Sequence, residues 1–325
     1  MQRNYSIDIL KFICATLVVF LHTTSAYHMF TPLTRCAVPC FFMISGYLLY
    51  KDGGIGMERI KRNLIHVAKI TLWATILFIF WKEITTIGQG GFLPSLKQMI
   101  KWIVFNDCPF AFHLWYLYAY LYVLLIVMVI DKYRMWNWLF VSIPILLLVH
   151  LAFGKYSLVI FNKEFPFMLY RNFLFVGLPY FALGAWLKTK IKPLENKRRM
   201  LAGGVILFSI TSLLEQFILR CIDKCPAREH FISSTFLAIS LLLLFLSFKV
   251  EKPNAISKIG ERDSLYIYLL HPIFIWVLST GFMEMGLYEI YYWIAPFAVL
   301  LSTILFIYAL RKMMARCGRF PNANK

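Results

Sequence analysis

Long apolar runs alternate with short polar breaks along the whole chain. About 20 apolar residues at ~1.5 Å rise cover a ~30 Å hydrocarbon core. Ten such stretches are read, at roughly 7–28, 36–50, 64–82, 113–130, 137–153, 171–187, 200–219, 231–248, 264–283 and 291–310. They predict an all-α polytopic membrane helix bundle of about ten transmembrane helices, a single domain over residues 1–325. Pro39, Pro144, Pro179 and Pro272 fall in or near these spans, which packed membrane helices tolerate. Pro32 and Pro39 predict an irregular entrance to the second span. The largest break, 83–112, holds Gly88, Gly90, Gly91, Pro94 and Pro109 and reads as a structured loop. No internal repeat, low-complexity segment or soluble domain is visible.

Composition agrees with this reading. Hydrophobic residues make up 60% and charged residues 15%, with mean hydropathy +0.67; a soluble domain is nearer half apolar and a quarter charged. A formal net charge of +18 raises the question of nucleic acid. The basic residues occupy the short breaks between apolar runs, which argues for the lipid bilayer instead and excludes a nucleic-acid face. With the N-terminus inside, 22 of the 34 Lys and Arg fall in cytoplasmic segments and 10 outside, with Lys11 and Lys69 within spans. That bias predicts both termini in the cytoplasm, and a short basic lipid-facing tail from about 311. The first apolar run carries charge and lacks a small-residue cleavage site, so it reads as a retained span. The seven Cys form no C-x-x-C pair, so no metal or redox motif is supported. Cys36, Cys40, Cys108, Cys221 and Cys225 fall toward the outer side, where disulfide and free thiol both stay open.

Candidate chemistry concentrates in the first span, IDILKFICATLVVFLHTTSAY, which carries Asp8, Lys11 and His22. Ionisable groups at membrane depth are costly and mark functional sites. Lys11 and His22 are eleven residues apart, roughly three turns, so they share one helix face about 16 Å apart. Asp8 is spaced to pair with Lys11. The plain alternative is a snorkelling lysine and a satisfied core histidine. The cluster ERIKRN, with Arg59, Lys61 and Arg62, reads either as a positive-inside stop signal or as a seat for a phosphorylated cytosolic ligand such as coenzyme A. His113 could hold a sugar hydroxyl and Trp115 could stack on a sugar face, although with Tyr116 an interfacial aromatic belt explains the rings. His271, before Pro272, lines a donor channel or bonds within the bundle. Glu215 calls for a partner such as Arg220 or another basic group. Arg35 is a further acceptor-side candidate.

A histidine deep in a membrane site suits general base work on a hydroxyl, and a thioester donor supplies an activated acyl group. No G-x-S-x-G, HExxH or P-loop element is present, so serine-hydrolase, zincin and NTP-driven readings lack support.

Taken in order, YSIDILKFICATLVVFLH, RCAVPCFFMISGYLLY, ERIKRN, HLWYL, FLFVGLPYFALGAWL and YIYLLHPIFIW resemble the integral-membrane acyltransferase-3 family of bacterial O-acyltransferases. The resemblance covers nearly the whole chain. It implies a ten-helix, multi-pass enzyme of the cytoplasmic membrane. Such an enzyme takes acyl groups, most often acetyl, from cytosolic acyl-CoA as co-substrate, with no bound cofactor. The acceptor implied is a hydroxyl of an extracytoplasmic glycan or lipid-linked saccharide. Carried over, His22 is the essential histidine and Lys11 the basic residue of the basic-x10-His motif. Arg59 and Lys61 stand at an Arg-x-Arg position, with Lys61 a departure that loses the planar guanidinium fork, for which Arg62 is a substitute. No soluble domain is appended, so the chain is expected to work alone or with a partner. Two rivals stand beside this reading. One is a transporter or lipid-linked-substrate binder without acyl transfer, which the lack of two similar halves disfavours. The other is a membrane domain of the kind found in amino-acid-handling relatives, disfavoured by the lack of a racemase domain.

Overall fold

A computed structural model describes residues 4–51, 53–87, 92–190, 194–225 and 230–316. Gly88, Gly90 and Gly91 of the expected loop lie outside these, as do the tail beyond Arg316 and Arg3, Lys192, Arg228, Arg319 and Lys325 of the charge pattern.

The described residues are helical apart from turns and one isolated bridge, Lys51 to Gly54. In order the helices are α1 (Ser6–His22), α2 (Thr31–Thr34), α3 (Ala37–Leu49), α4 (Met57–Thr85), α5 (Leu96–Phe105), α6 (Trp115–Lys132) and α7 (Trp136–Phe153). There follow α8 (Ser157–Ile160), α9 (Leu178–Lys190), α10 (Arg198–Cys221), α11 (Ile232–Ser247), α12 (Ala255–Arg262), α13 (Ser264–Glu284) and α14 (Tyr288–Arg316). Among the described residues, seven helical runs are long and apolar enough to cross a membrane: His28–Leu49, Met57–Thr85, Phe112–Lys132, Trp136–Phe153, Arg198–Cys221, Ser264–Glu284 and Tyr288–Arg316. Large apolar side chains such as Trp73, Phe80, Trp138, Ile206 and Phe217 stand exposed along them, as lipid-facing surfaces require. The chain is a multi-pass membrane protein.

The three remaining apolar stretches form shorter or interrupted elements. α1 stops at His22 rather than near 28, because Thr23 turns extended (φ −85°, ψ 128°) and its hydroxyl donates to the Phe20 carbonyl. Hydroxyl side chains offer the backbone such local bonds and end helices. Over 171–187 a π-helical turn, Phe173–Gly177, precedes α9. α11 has 16 residues. The second span does have an irregular entrance, with a 3-10 turn at His28–Phe30, then α2, then a break at Arg35 and Cys36 before α3. Pro39 falls in the first turn of α3, where an amide donor is not needed. The segment read as a structured loop folds into α5. Cys36, Cys40, Cys108, Cys221 and Cys225 are all free thiols.

The chain divides into two compact units, residues 1–37 with 248–325, and residues 38–247. In the first, Tyr5 N–H donates to the Val250 carbonyl, and Asn4 Nδ2 donates to the Phe248 carbonyl, clasping the start of α1. Phe20 meets Phe297 edge-on at 5.3 Å, joining α1 to α14. Arg311 of α14 donates to the Arg262 carbonyl and pairs with Asp263 at 2.6 Å.

In the second unit α3 and α9 cross with their backbones touching. A Cβ on Gly46 would stand 1.9 Å from the Phe181 carbonyl oxygen, and one on Gly184 2.0 Å from that of Met43. Small residues permit such close helix approach in membranes. Asp131, at the end of α6, accepts from the N–H groups of Ile55 (2.8 Å) and Gly56 (3.0 Å) and from Trp136 Nε1 (3.0 Å). This fixes the start of α4, where Gly56 at φ 87° serves as N-cap in a conformation that favours glycine.

Gly184→Val is expected to abolish folded protein, whereas Gly203→Ala, whose Cβ would meet nothing within 4 Å, should stabilise by about 0.5–1 kcal/mol. Thermal unfolding of the purified variants in detergent, with monodispersity monitored, checks both.

Candidate active site

The first unit holds a graded line of ionisable groups on α1. Asp8 is buried near its start, and Lys11 Nζ donates to Asp8 Oδ1 at 3.0 Å with side-chain exposures of 24% and 4%. A buried charge persists only when paired, so each of the two justifies the other. α12 lies against this turn: a Cβ on Gly260 would stand 1.7 Å from the Asp8 carbonyl oxygen and 3.2 Å from Phe12 Cβ. Only a glycine lets the two backbones touch there, so Gly260 holds the Asp8–Lys11 pair in place. Spacing alone gave no sign of it.

At the other end of α1, His22 meets His271 of α13. Their rings stack at 5.3 Å between centroids with 30° between planes. His271 is fully buried, while His22 is half-buried and the more accessible of the two. His271 Nδ1 lies 3.1 Å from the Ile267 carbonyl. A carbonyl only accepts, so Nδ1 carries the proton and Nε2 of the neutral ring keeps its lone pair. Pro272, inside α13, has no N–H and removes one bond from the helical ladder beside this ring. The arrangement can take a proton at a half-buried imidazole backed by an oriented second one. Arg35 belongs to the same unit, at the break before α3.

The other candidates belong to the second unit. Arg59 is engaged by structure: Nη1 donates to the Leu49 carbonyl at 3.0 Å and Nη2 to that of Leu48 at 2.8 Å, closing the end of α3. Lys61 lies 3.7 Å from Glu58 with both side chains exposed, and Arg62 is exposed on the same turn. Lys61 and Arg62 are thus the accessible cations of ERIKRN.

His113 is buried against Phe78, ring to ring at 4.6 Å. The Trp115 ring is buried with the Arg171 guanidinium 5.2 Å from its centroid, so that cation occupies the stacking surface expected for a sugar. Tyr116 packs edge-on against Phe42 at 4.7 Å within the core. The carboxylate of Glu215 accepts from Ile232 N–H (3.0 Å), Ser233 N–H (3.1 Å) and the Ser233 hydroxyl. The expected Arg220 partner is replaced by the start of α11, whose unpaired amides carry partial positive charge.

Several polar groups escaped the sequence reading. His150 Nδ1 donates to the Tyr170 carbonyl at 2.9 Å, and its Nε2 lies 3.0 Å from His230 Nδ1. Arg171 sits among Phe112 (4.2 Å), Phe167 (4.6 Å) and Trp115. Burial holds the nearby Asp107 carboxyl above its ordinary range, with Arg171 and Lys101 pulling it back. His150 and His230 sit 80 residues apart in the chain with no shared motif, so only the fold brings them together.

The chain is 23% identical over 297 residues to a serine/alanine racemase of Enterococcus gallinarum, covering 83% of this chain and 41% of that protein. It is 27% identical over 244 residues to an amino-acid racemase of Enterococcus faecalis, covering 66% and 33%. It therefore spans less than half the length of these relatives. No solved structure matches. The model of the acyltransferase-3 family, described as an acyltransferase domain, matches residues 4–312 and so takes in both units and every candidate residue above. The chain belongs to the acyltransferase-3 family.

Proposed function

We propose that this protein is an O-acyltransferase of the cytoplasmic membrane. It moves an acyl group, acetyl foremost, from cytosolic acyl-CoA to a hydroxyl of an extracytoplasmic glycan or lipid-linked saccharide. The observation that carries this reading is His22, half-buried at the end of α1 and stacked on the fully buried His271. Ten spans with both termini cytoplasmic complete the proposal, supported by the bias of Lys and Arg among the polar breaks. Three of those spans are then the short or interrupted elements α1, the run through α9, and α11.

In this mechanism His22 removes the proton of the acceptor hydroxyl as its oxygen attacks the thioester carbonyl. The tetrahedral intermediate collapses with loss of the coenzyme A thiolate, which takes up the proton from the imidazolium. In a second route a His22 nitrogen attacks the thioester carbonyl and expels the coenzyme A thiolate, leaving an acyl-imidazole; the acceptor hydroxyl then attacks that carbonyl, the imidazole leaves, and the hydroxyl proton passes to the thiolate. Both need one unprotonated nitrogen on His22, and His271 restrains the ring that carries it. Lys61 and Arg62 meet the donor phosphates by charge-assisted bonds. Lys11, paired to Asp8, keeps further ammonium N–H donors on the helix that presents His22.

A second reading is favoured by the names of the relatives, which state racemisation of serine, alanine or amino acids. Under it the acceptor is an amino acid or an amino-acid-bearing envelope component, with the same transfer step.

His22→Ala is expected to lower acyl transfer by about 10²–10⁴-fold while the protein stays in the membrane. The check compares masses of envelope glycans and of amino-acid-bearing components in three strains: gene deleted, restored with this chain, and restored with His22→Ala. A mass increment that survives in the variant strain rules His22 out as the base. Arg62→Ala should raise the KM for acyl-CoA about 10-fold or more with kcat little changed, since an exposed charge-assisted contact is lost. Arg59→Ala should instead lower thermal stability, because it uncaps α3; steady-state kinetics beside melting curves separate the two.

A further inference from the structure

Between α4 and α6 the chain forms α5, ten residues with no side chain fully buried. Its ends are well made: Ser95 and Gln98 form a reciprocal capping box, and Asn106 closes the helix in the left-handed region at φ 55°. At about 100° per residue, Leu96, Ile100, Ile103 and Val104 share one face, and all four are exposed. Lys97 and Lys101, one turn apart, form the adjoining edge.

The far edge of α5 turns toward α6. Met99, Trp102 and Ile103 there line a groove of about 210 Å³ with Tyr118 and Tyr122. Both tyrosine hydroxyls are used elsewhere, Tyr118 with Thr75 Oγ1 at 2.5 Å and Tyr122 donating to the Ile103 carbonyl at 2.5 Å. The walls therefore offer rings, a thioether and hydrocarbon. Trp102 is held edge-on between Phe110 at 5.6 Å and Tyr118 at 5.5 Å, so the groove is framed by a braced aromatic wall.

Neighbouring α4 and α6 carry exposed Phe80, Ile84, Leu125 and Val129, surfaces that meet hydrocarbon in a spanning helix. An amphipathic helix with a basic edge lies in the membrane interface, its apolar face at the boundary of headgroups and acyl chains. Lysines there attract anionic headgroups. We propose that α5 lies along the membrane surface and that its seam with α6 seats one acyl chain of an anionic phospholipid, with Lys97 and Lys101 at the headgroup phosphate. This site is separate from the acyl-transfer reading and does not depend on it.

The full chain is reconstituted in phosphatidylcholine nanodiscs containing brominated phosphatidylglycerol or brominated phosphatidylcholine at equal mole fraction. The share of tryptophan quenching due to Trp102 is taken from the difference with Trp102→Phe. Phosphatidylglycerol is expected to quench that share at least twofold more than phosphatidylcholine, and Lys97→Gln with Lys101→Gln should remove the excess. No quenching of that share by either lipid would place water in the groove and overturn the proposal. Equal quenching by both would overturn the anionic selection. Native mass spectrometry of the unmodified chain gives an independent reading: preferential retention of phosphatidylglycerol supports the site, and equal loss of both lipids argues against it.

Discussion

A backbone in hydrocarbon has no water to complete its hydrogen bonds, so each helix end must find a partner within the protein. At several ends this chain does so with charged or amide side chains whose polarity suits the helix end. Cations close C-terminal ends: Arg59 on the carbonyls of Leu48 and Leu49, Arg198 on that of Ser247, and Arg311 on that of Arg262. Acceptors close N-terminal ends: Asp131 before α4, Glu215 at α11 and Asn172 at the turn leading into α9. The matching follows the partial charges of unpaired amides and carbonyls at helix ends. Bulk water ordinarily does this work, and here it falls to a small set of charged and amide side chains.

The same constraint explains what could be read from the sequence and what could not. Apolar run length and the Pro positions gave the helical class and most elements, because period and length are local properties. The Lys11–His22 spacing and the Asp8–Lys11 pair were legible for the same reason, all lying on one helix. Glu215 and Arg59 were harder, because a charge in a membrane segment looks the same whether it serves a substrate or a helix end. The end of α1 at His22 was missed because a run of apolar residues does not reveal where Thr23 and its neighbours redirect the backbone. The His150–His230 pair and the Arg171 enclosure arise from residues far apart in sequence, which no spacing rule reaches.

Division of the candidate residues between two units gives each a distinct character. The first contributes imidazoles and a buried ion pair, held by backbone contacts too close for any side chain at Gly260. The second contributes exposed cations on a helix start clamped by Asp131. A change that loosens one set leaves the other with its own internal supports. The imidazoles and the exposed cations therefore have separate structural foundations.

α1 carries Lys11 near one end and His22 as its last helical residue, with an unbroken ladder between them. A helical shaft of this kind is a ruler as well as a support. Replacing one apolar residue between the two by another leaves their separation and shared face unchanged. Adding or removing a single residue turns one of them by about 100° relative to the other. The information held by this stretch is therefore a count rather than a spelling: its composition can drift widely among apolar residues, while its length cannot change by one without moving the histidine off its face.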